Sequence, residues 1–357
     1  MADIQFEKYM NIAKSNISKY TICFVTNVDG KTDIKDYPMT DDSILTEYFT
    51  EDEYNTILNA IKEIGFYVKV FFNEIEFINY INNSKHENII VFNLARNGKG
   101  LCKKALIPSF CEFYNIPHTG SNAYTVCLGR HKFHYNKLLS SFNLNVVRSW
   151  LYSKQGWLFD ERPPIGTKII IKPTFESASR GVRSTSVFIY ENNDTAIRVL
   201  QNEFQQDIIV QEFISGYEIQ VPIIMEGDIP TAVDTVGISM GNDLCLKDKV
   251  ITYDLAFSEE YNFYSFNMCS SYTKQNILHT SEKIAKVLGM KNYGRCDYRF
   301  TEDGKFYLTD ISTHPYLIYH SAFAFVFFNL GYKYSDIFAY IIGNTINEYE
   351  KENDYKC

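Results

Sequence analysis

Four side chains toward the C-terminal end have the types and spacing for phosphoryl chemistry. Arg295 and Asp297 stand two residues apart, as do Asp310 and Ser312, within YGRCDYRFTEDGKFYLTDISTHP from Tyr293 to Pro315. Residues two apart on a strand share a face. Between the pairs, Glu302-Asp303-Gly304-Lys305 is a strong hairpin signal. The strands on either side can therefore carry both acids on one face, within reach of one cation. A small set of hard oxygen ligands suits an Mg²⁺ that also holds phosphates. Taken singly, either acid reads as an exposed strand residue near a turn. The combination Arg-x-Asp, hairpin, Asp-x-Ser-Thr-x-Pro is harder to dismiss.

The elements that must position this hairpin begin with alternating strands and helices. Tyr20–Val28 reads as a buried strand ending at Asp29-Gly30, after a polar helical lead-in over residues 1–19. Lys31–Phe49 is polar and reads as loop. Thr50–Ile64 has an acidic start and apolar residues at Ile57, Leu58, Ile61 and Ile64, which predicts a helix closed by Gly65. Strand Phe66–Phe72, helix Ile75–Ile81 and buried strand Asn88–Leu94 follow, an order that argues for a parallel α/β layer. Asn97-Gly98-Lys99-Gly100 is a flexible loop at a strand's C-terminal end, where ligands bind in open α/β sheets, though it lacks the Lys-Ser/Thr of a phosphate loop. Leu106–Tyr114 predicts another helix.

Further along, the spacing supplies cations and hydroxyls. Thr167–Lys172 is a buried strand ending in lysine, followed by the small, hydroxyl-rich loop Thr174–Gly181, which can close over phosphates with backbone N–H groups. Strands Ile208–Ile214 and Ile219–Met225 come next. Thr235–Asn267 is polar and aromatic-rich, and Ser270–Leu288 is an amphipathic helix. Gly331–Ile342 predicts a closing helix, and the tail from Glu348 is expected to fray. His131 and His134 have helical H-x-x-H spacing, but no third ligand lies nearby, so a zinc site is not expected.

Composition bounds the rest. At 357 residues and 45% hydrophobic, the chain can bury two or three cores. A net charge of −8 excludes a broad nucleic-acid surface, so small anions must be held by local lysines and arginines. Eight scattered cysteines without a C-x-x-C pair fit buried thiols in a reducing cytoplasm. No signal peptide or membrane-spanning run is expected: the longest apolar run, Ala322–Phe328, is too short to cross a bilayer.

The whole pattern resembles the ATP-grasp superfamily, in the branch of D-alanine–D-alanine ligases. That branch has R-x-D, a hairpin with D-G, then E-x-N-T-x-P-G. Here Asp310 replaces Glu, Ser312 replaces Asn, and Tyr316 replaces the Gly after Pro315. Upstream, VFNLARNGKG, Glu112, IPHTGS and Lys132 are similar to family motifs, with His131 where Asp is usual. Lys172 and Gly181 match K-P-x-x-x-G-S-S-x-G, with Ser177, Ala178 and Ser179 in place of G-S-S. Gln211, Glu212, Phe213, Ile214 and Glu218 match the run that passes the adenine and reaches the ribose. Ser321 matches the serine that binds the second substrate's carboxylate. Tyr253-Asp254 resembles the start of the family's lid, but Ser258 falls near the place of its lysine. The acidic motif that holds the first D-alanine is not found around Asn27–Lys31.

The resemblance implies an ATP-grasp fold: an N-terminal α/β domain over residues 1–120, a central lobe over 121–207, and a C-terminal lobe with the metal site over 208–357. It implies ATP held by Lys132, Lys172, Ser177, Ser179, Gln211, Glu212, Phe213, Ile214 and Glu218. Mg²⁺ or Mn²⁺ is expected on Asp297, Asp310 and Ser312, and catalysis through Arg295 and Ser321. The implied substrates are a small carboxylate and an amine, of amino-acid type, with neither nucleic acid nor membrane as partner; a homodimer is left open. Three functions follow: a dipeptide-like ligase of a specialised pathway, an ordinary D-alanine–D-alanine ligase of peptidoglycan synthesis, or a nucleotide-binding protein without catalysis. The kept charged residues argue against the third. The missing acidic motif, altered lid and Tyr316 argue against the second.

Overall fold

Alternate apolar residues in the first hundred positions pack to opposite faces of one parallel sheet. The computed structural model describes residues 5–32, 47–83, 87–97, 100–258 and 260–354. Helix α1 (Phe6–Ser15) leads into β1 (Thr21–Thr26), α2 (Glu51–Ile64), β2 (Tyr67–Phe71), α3 (Glu74–Asn83), β3 (Ile89–Leu94) and α4 (Leu106–Tyr114). The strands are parallel in the order β2-β1-β3. Ile22, Phe24, Ile90 and Phe92 face a core that includes α2, and Cys23, Val25 and Val91 face α3 and α4. Helix α2 starts where its sequence says. Thr50 Oγ accepts from Glu53 N at 3.2 Å, Glu53 Oε2 accepts from Thr50 N at 2.7 Å, and Gly65 closes the helix at φ 113°. Gly98 and Lys99 of the expected ligand loop, and residues 33–46 of the loop before α2, lie outside the described residues.

After α5 (Ala123–Arg130) and α6 (Lys132–Ser141), an antiparallel sheet has the order β5-β4-β8-β6-β7. Its strands are β4 (Ser149–Ser153), β5 (Gly156–Trp157), β6 (Lys168–Pro173), β7 (Val187–Ile189) and, after α7 (Thr195–Phe204), β8 (Ile208–Glu212). β8 hydrogen-bonds to both β4 and β6, so this sheet runs through Glu212, past the expected lobe boundary at 208. Pattern and pleat agree. Ile169, Ile171, Ile208 and Val210 pack on α7 residues Ile197 and Leu200, and Ile170, Lys172 and Gln211 take the opposite face.

The third sheet holds β9 (Tyr217–Glu226), β10 (Ile229–Ala232), β11 (Val236–Ser239), β12 (Asn262–Ser265), β13 (Tyr293–Phe300) and β14 (Phe306–Ser312). Helix α8 (Tyr253–Ser258) sits between β11 and β12, so the segment read only as polar and aromatic contains two paired strands. Helix α9 (Ser271–Leu288) covers one face through Ile277, Ile284, Ala285 and Leu288, against Ile219, Val221, Cys296, Tyr298 and Leu308. The other face looks toward the central sheet.

Helices α10 (Ala322–Asn329) and α11 (Tyr334–Asp354) return to the N-terminal core. The expected fraying from Glu348 is not observed: α11 runs to Asp354. It is docked on α1, where a Cβ at Gly343 would lie 1.8 Å from the Tyr9 carbonyl oxygen, and Glu350 accepts from Lys19 at 2.5 Å. No helix among the described residues is long and apolar enough to cross a membrane.

Candidate active site

The β13–β14 hairpin sets the centre of the site, and its geometry depends on a bulge. Near the turn the pairs are Phe300↔Phe306, Arg299↔Tyr307 and Tyr298↔Leu308; beyond it they are Asp297↔Asp310 and Arg295↔Ser312. One extra residue on β14 shifts the register, and Thr309 Oγ donates to the Asp297 carbonyl within the irregularity at 3.1 Å. An unbulged ladder would have turned Asp310 toward α9, with Leu308; the bulge turns it to the face of Asp297. The turn is a Thr301–Lys305 loop with Gly304 at φ 85°.

All fourteen residues picked from the sequence line one cavity of about 660 Å³ between the second and third sheets. Lys132, the first residue of α6, donates to the Glu176 carbonyl at 2.6 Å and lies 3.8 Å from Asp310 Oδ2. Lys172 enters from β6. The 174–181 loop folds under them with Ala178, Ser179 and Gly181 at positive φ, a concave run of the kind that receives anions. Ser177 Oγ accepts from Lys104 Nζ at 3.0 Å. Ser321 caps α10, accepting from Ala324 N at 3.2 Å. The lid segment contributes Tyr253, Ala256, Ser258 and Tyr261 to the wall.

The two acids are held differently. Asp297 is 9% exposed, and both its oxygens accept from Arg295, Nε at 2.7 Å and Nη2 at 2.8 Å. Burial pushes the Asp297 carboxyl up, and Arg295 only partly offsets it. Burial also pushes Asp310 up, but Lys132, Lys172 and the Tyr135 hydroxyl outweigh it and hold it below the usual range. Burial, with Lys132 beside it, lowers Lys172 despite the attraction of Asp310. Glu218 is clasped by Arg299 Nε at 2.6 Å; Arg299 also donates to the carbonyls of Gly216, Lys247 and Lys249. Glu212 sits at the rim, paired with Arg148 at 2.8 Å.

The donor set fits a divalent cation and a nucleotide. Asp310 offers Oδ2, since Oδ1 already accepts from Tyr135 Oη at 2.7 Å and from Ile311 N at 2.9 Å. Asp297 and Ser312 are its neighbours on the same face. Gln211 is 1% exposed, and neither end of its amide has a partner, so a donor and an acceptor wait side by side in the cavity wall. Such an amide can pair in two places with an adenine edge. The His131 and His134 rings are stacked face to face, with centroids 3.4 Å apart, and no group of three or more His, Cys, Asp or Glu among the described residues could hold a metal.

Sequence reasoning missed Tyr135, Lys104, Arg130 and His314, all buried here. Tyr135 lies one helical turn after Lys132, a spacing that places both on one face of α6. Lys104, Arg130 and His314 come from three distant segments and leave no sequence signal.

A family model described as D-ala D-ala ligase C-terminus matches residues 140–343, more than half of the chain. The chain belongs to the D-alanine–D-alanine ligase-like family of ATP-grasp proteins. The D-alanine–D-alanine ligase of Rickettsia typhi is 25% identical over 231 residues, 63% of this chain and 66% of the relative. That of Finegoldia magna is 25% identical over 286 residues, 76% of this chain and 75% of the relative. The match thus spans just under two thirds of the Rickettsia protein's length. The fold agrees with a Bacillus anthracis D-alanine–D-alanine ligase solved with ATP, at TM-score 0.68 and 17% identity, covering 93% of this chain and 99% of that one. The ATP-grasp fold expected from the sequence is the fold observed.

Proposed function

We propose that this ATP-grasp protein is an ATP-dependent carboxylate–amine ligase. The observation that carries the reading is the meeting of residues from three chain segments around one acidic pair: Lys132 on α6, Lys172 on β6, and Asp297 and Asp310 on the bulged hairpin. The carboxylate substrate takes the terminal phosphoryl group of ATP, giving an acylphosphate and ADP. The amine then attacks the acyl carbon, and phosphate and a proton leave as the amide forms. Lys132, Lys172 and the 177–181 backbone neutralise triphosphate charge, and Gln211, Phe213 and Ile214 seat the base. Arg295 faces the acyl group and stabilises the oxyanion. Ser321, at the N-terminus of α10, holds the second substrate's carboxylate. A divalent cation held by Asp297, Asp310 and Ser312 would supply positive charge that offsets the phosphates and the transferring group. No side-chain nucleophile is needed.

The names of the relatives favour a second reading, D-alanine–D-alanine ligation itself. Against it stand Tyr316 after Pro315 and the absence of the acidic motif around Asn27–Lys31. Asn27 instead ties the N-terminal loops together: Nδ2 donates to Glu74 at 3.3 Å and Oδ1 accepts from Arg96 N at 2.7 Å. These features support a ligase of a specialised pathway, and the free cysteines among the described residues support a reducing, cytoplasmic setting. Phosphate release from ATP, screened over pairs of amino acids with purified protein, tests both readings. We expect little turnover with D-alanine alone. Robust D-alanyl-D-alanine formation would favour the second reading, and no phosphate release with any pair would remove the ligase assignment.

A further inference from the structure

We propose that the end of the cavity nearest the N-terminal sheet holds a second anionic group on the carboxylate substrate, so that the preferred acid is a small dicarboxylate. This deepens the ligase reading and rests on it for which substrate enters. The case starts from a charge imbalance. Lys104 and Arg130 line this end, at 5% and 8% exposure, and Arg96 lies fully buried behind Tyr316. The Arg96 guanidinium is stacked 4.1 Å from the Tyr316 ring centroid and 4.4 Å from that of Phe49. Among the described residues one carboxylate, Glu47, serves the group: Oε1 accepts from Lys103 and Oε2 is ion-paired with Lys104, at 3.1 Å each. Neither Arg96 nor Arg130 has a carboxylate within 4.0 Å among the described residues. Arg130 donates to the carbonyls of Leu101 and Phe175 and Arg96 to that of Leu94. Among the described residues, Arg130 Nη1 and both Arg96 Nη atoms are buried without a hydrogen bond of ordinary geometry, the Tyr316 hydroxyl being the polar group nearest in effect to Arg96.

Buried cations without counter-charge are costly, and proteins pair them or leave the pairing to a ligand. Among the described residues, four cations (Arg96, Lys103, Lys104 and Arg130) face one acid here. His314 completes the wall: it is 5% exposed and its Nε2 has no partner. An imidazole nitrogen there can donate one hydrogen bond to an anion. The lysines nearest Asp310 are a different pair, Lys132 and Lys172, so the triphosphate has its own cations. The reacting carboxylate of an amino acid is consumed at the acyl centre. A neutral amino acid would then bring only its ammonium to this end, against the field. A second carboxylate would neutralise it.

The test is calorimetry on the full chain with Mg²⁺ and a non-hydrolysable ATP analogue. The titrants are succinate and both enantiomers of glutamate, against succinamate, glutamine and D-alanine. We expect a dicarboxylate to bind at least tenfold more tightly than its monoamide, and Lys104→Met or Arg130→Gln to shrink that preference to threefold or less. Equal affinities, tighter binding of the amides, or no binding of any acid would overturn the proposal. So would variants that weaken the ATP analogue but leave the acid preference intact, because the anion would then be the terminal phosphate. The wild-type comparison decides even if a variant fails to fold. Phosphate release separates the two layers. Selective dicarboxylate binding without turnover would leave the anion site standing and the ligase reading fallen; turnover with neutral pairs only would do the reverse.

Discussion

Replacing Arg295 with methionine should produce two losses of different origin, and the structure sizes each. The Arg295–Asp297 pair is not a surface salt bridge, for which about 0–1 kcal/mol would be expected. The Asp297 and Arg295 side chains are 12% and 21% exposed, and two hydrogen bonds join them. Removing one partner of a buried pair costs about 3–5 kcal/mol. Unfolding entropy of ~2.1 cal/mol/K per residue over 357 residues makes 1 kcal/mol worth about 1.3 °C, so Tm should fall by about 4–7 °C. The pH dependence identifies the source. The Asp297 pKa in the folded protein is raised above its ordinary value, so its ionisation subtracts stability as pH rises through that window. Without Arg295 the folded value climbs further, and the stability deficit of the variant should grow as pH rises above the ordinary carboxylate range and shrink on acidification. Adding Asp297→Asn should restore much of the stability, because both partners of the pair are then gone. Turnover should not return. Loss of an oxyanion donor costs about 10²–10³ in rate, while ATP affinity by calorimetry should change only modestly. An Arg295→Met protein with turnover within threefold of wild type would remove Arg295 from the chemistry, and a pH-independent Tm deficit would show that stranded Asp297 is not its source.

Three further outcomes are expected. Asp310→Asn should abolish phosphate release and lower Tm, because Lys132 and Lys172 lose the carboxylate they hold below its usual range, and the wild type should work with Mn²⁺ at least as well as with Mg²⁺, since Asp310 and Ser312 are short ligands; normal turnover in the variant would refute the metal assignment. Lys172→Met should weaken ATP binding about 10–100-fold, as loss of a charge-assisted contact worth ~1.5–3 kcal/mol requires. Because the Lys172 pKa is lowered, wild-type affinity should also begin to fall, as pH rises, before an ordinary lysine loses its proton, a trend calorimetry across pH would detect and the variant should lack. Gly343→Ala should destabilise by about 1–3 kcal/mol in urea unfolding despite alanine's helix preference, because the added Cβ meets backbone, the Tyr9 carbonyl; a more stable variant would mean that α1 can shift on α11.

What the sequence made legible was what depends on neighbours in the chain. The α2 capping box is local, and so are the alternations that send Ile169 and Ile171 to α7 and Ile170 and Lys172 to the cavity. The hairpin was legible from Asp303-Gly304, and with it the company of Arg295, Asp297, Asp310 and Ser312. The bulge was not: nothing in Tyr307-Leu308-Thr309-Asp310 announces the extra residue that turns Asp310 to the cavity face. Lys104, Arg130 and His314 were invisible for a different reason. They meet only once three chain segments pack, and Cys-Lys-Lys-Ala around Lys104 carries no motif. The tail misled because its polar composition masks a docking surface supplied by α1. One ambiguity is built into the chemistry. Arg and Asp two apart on a strand can clasp each other or can face a metal and an oxyanion, and the same spacing serves both. In this fold both Asp297 oxygens are already engaged, whereas Asp310 keeps Oδ2 within 3.8 Å of Lys132 and is held ionised. On the proposed reading Asp310 would therefore be the primary cation ligand, and Asp297 would have to share its remaining lone pairs or loosen Arg295. On the proposed ligase reading, the carboxylate that would help to hold a cation is the one that now engages the Arg295 guanidinium, so both roles offered by the Arg-x-Asp spacing converge on Asp297.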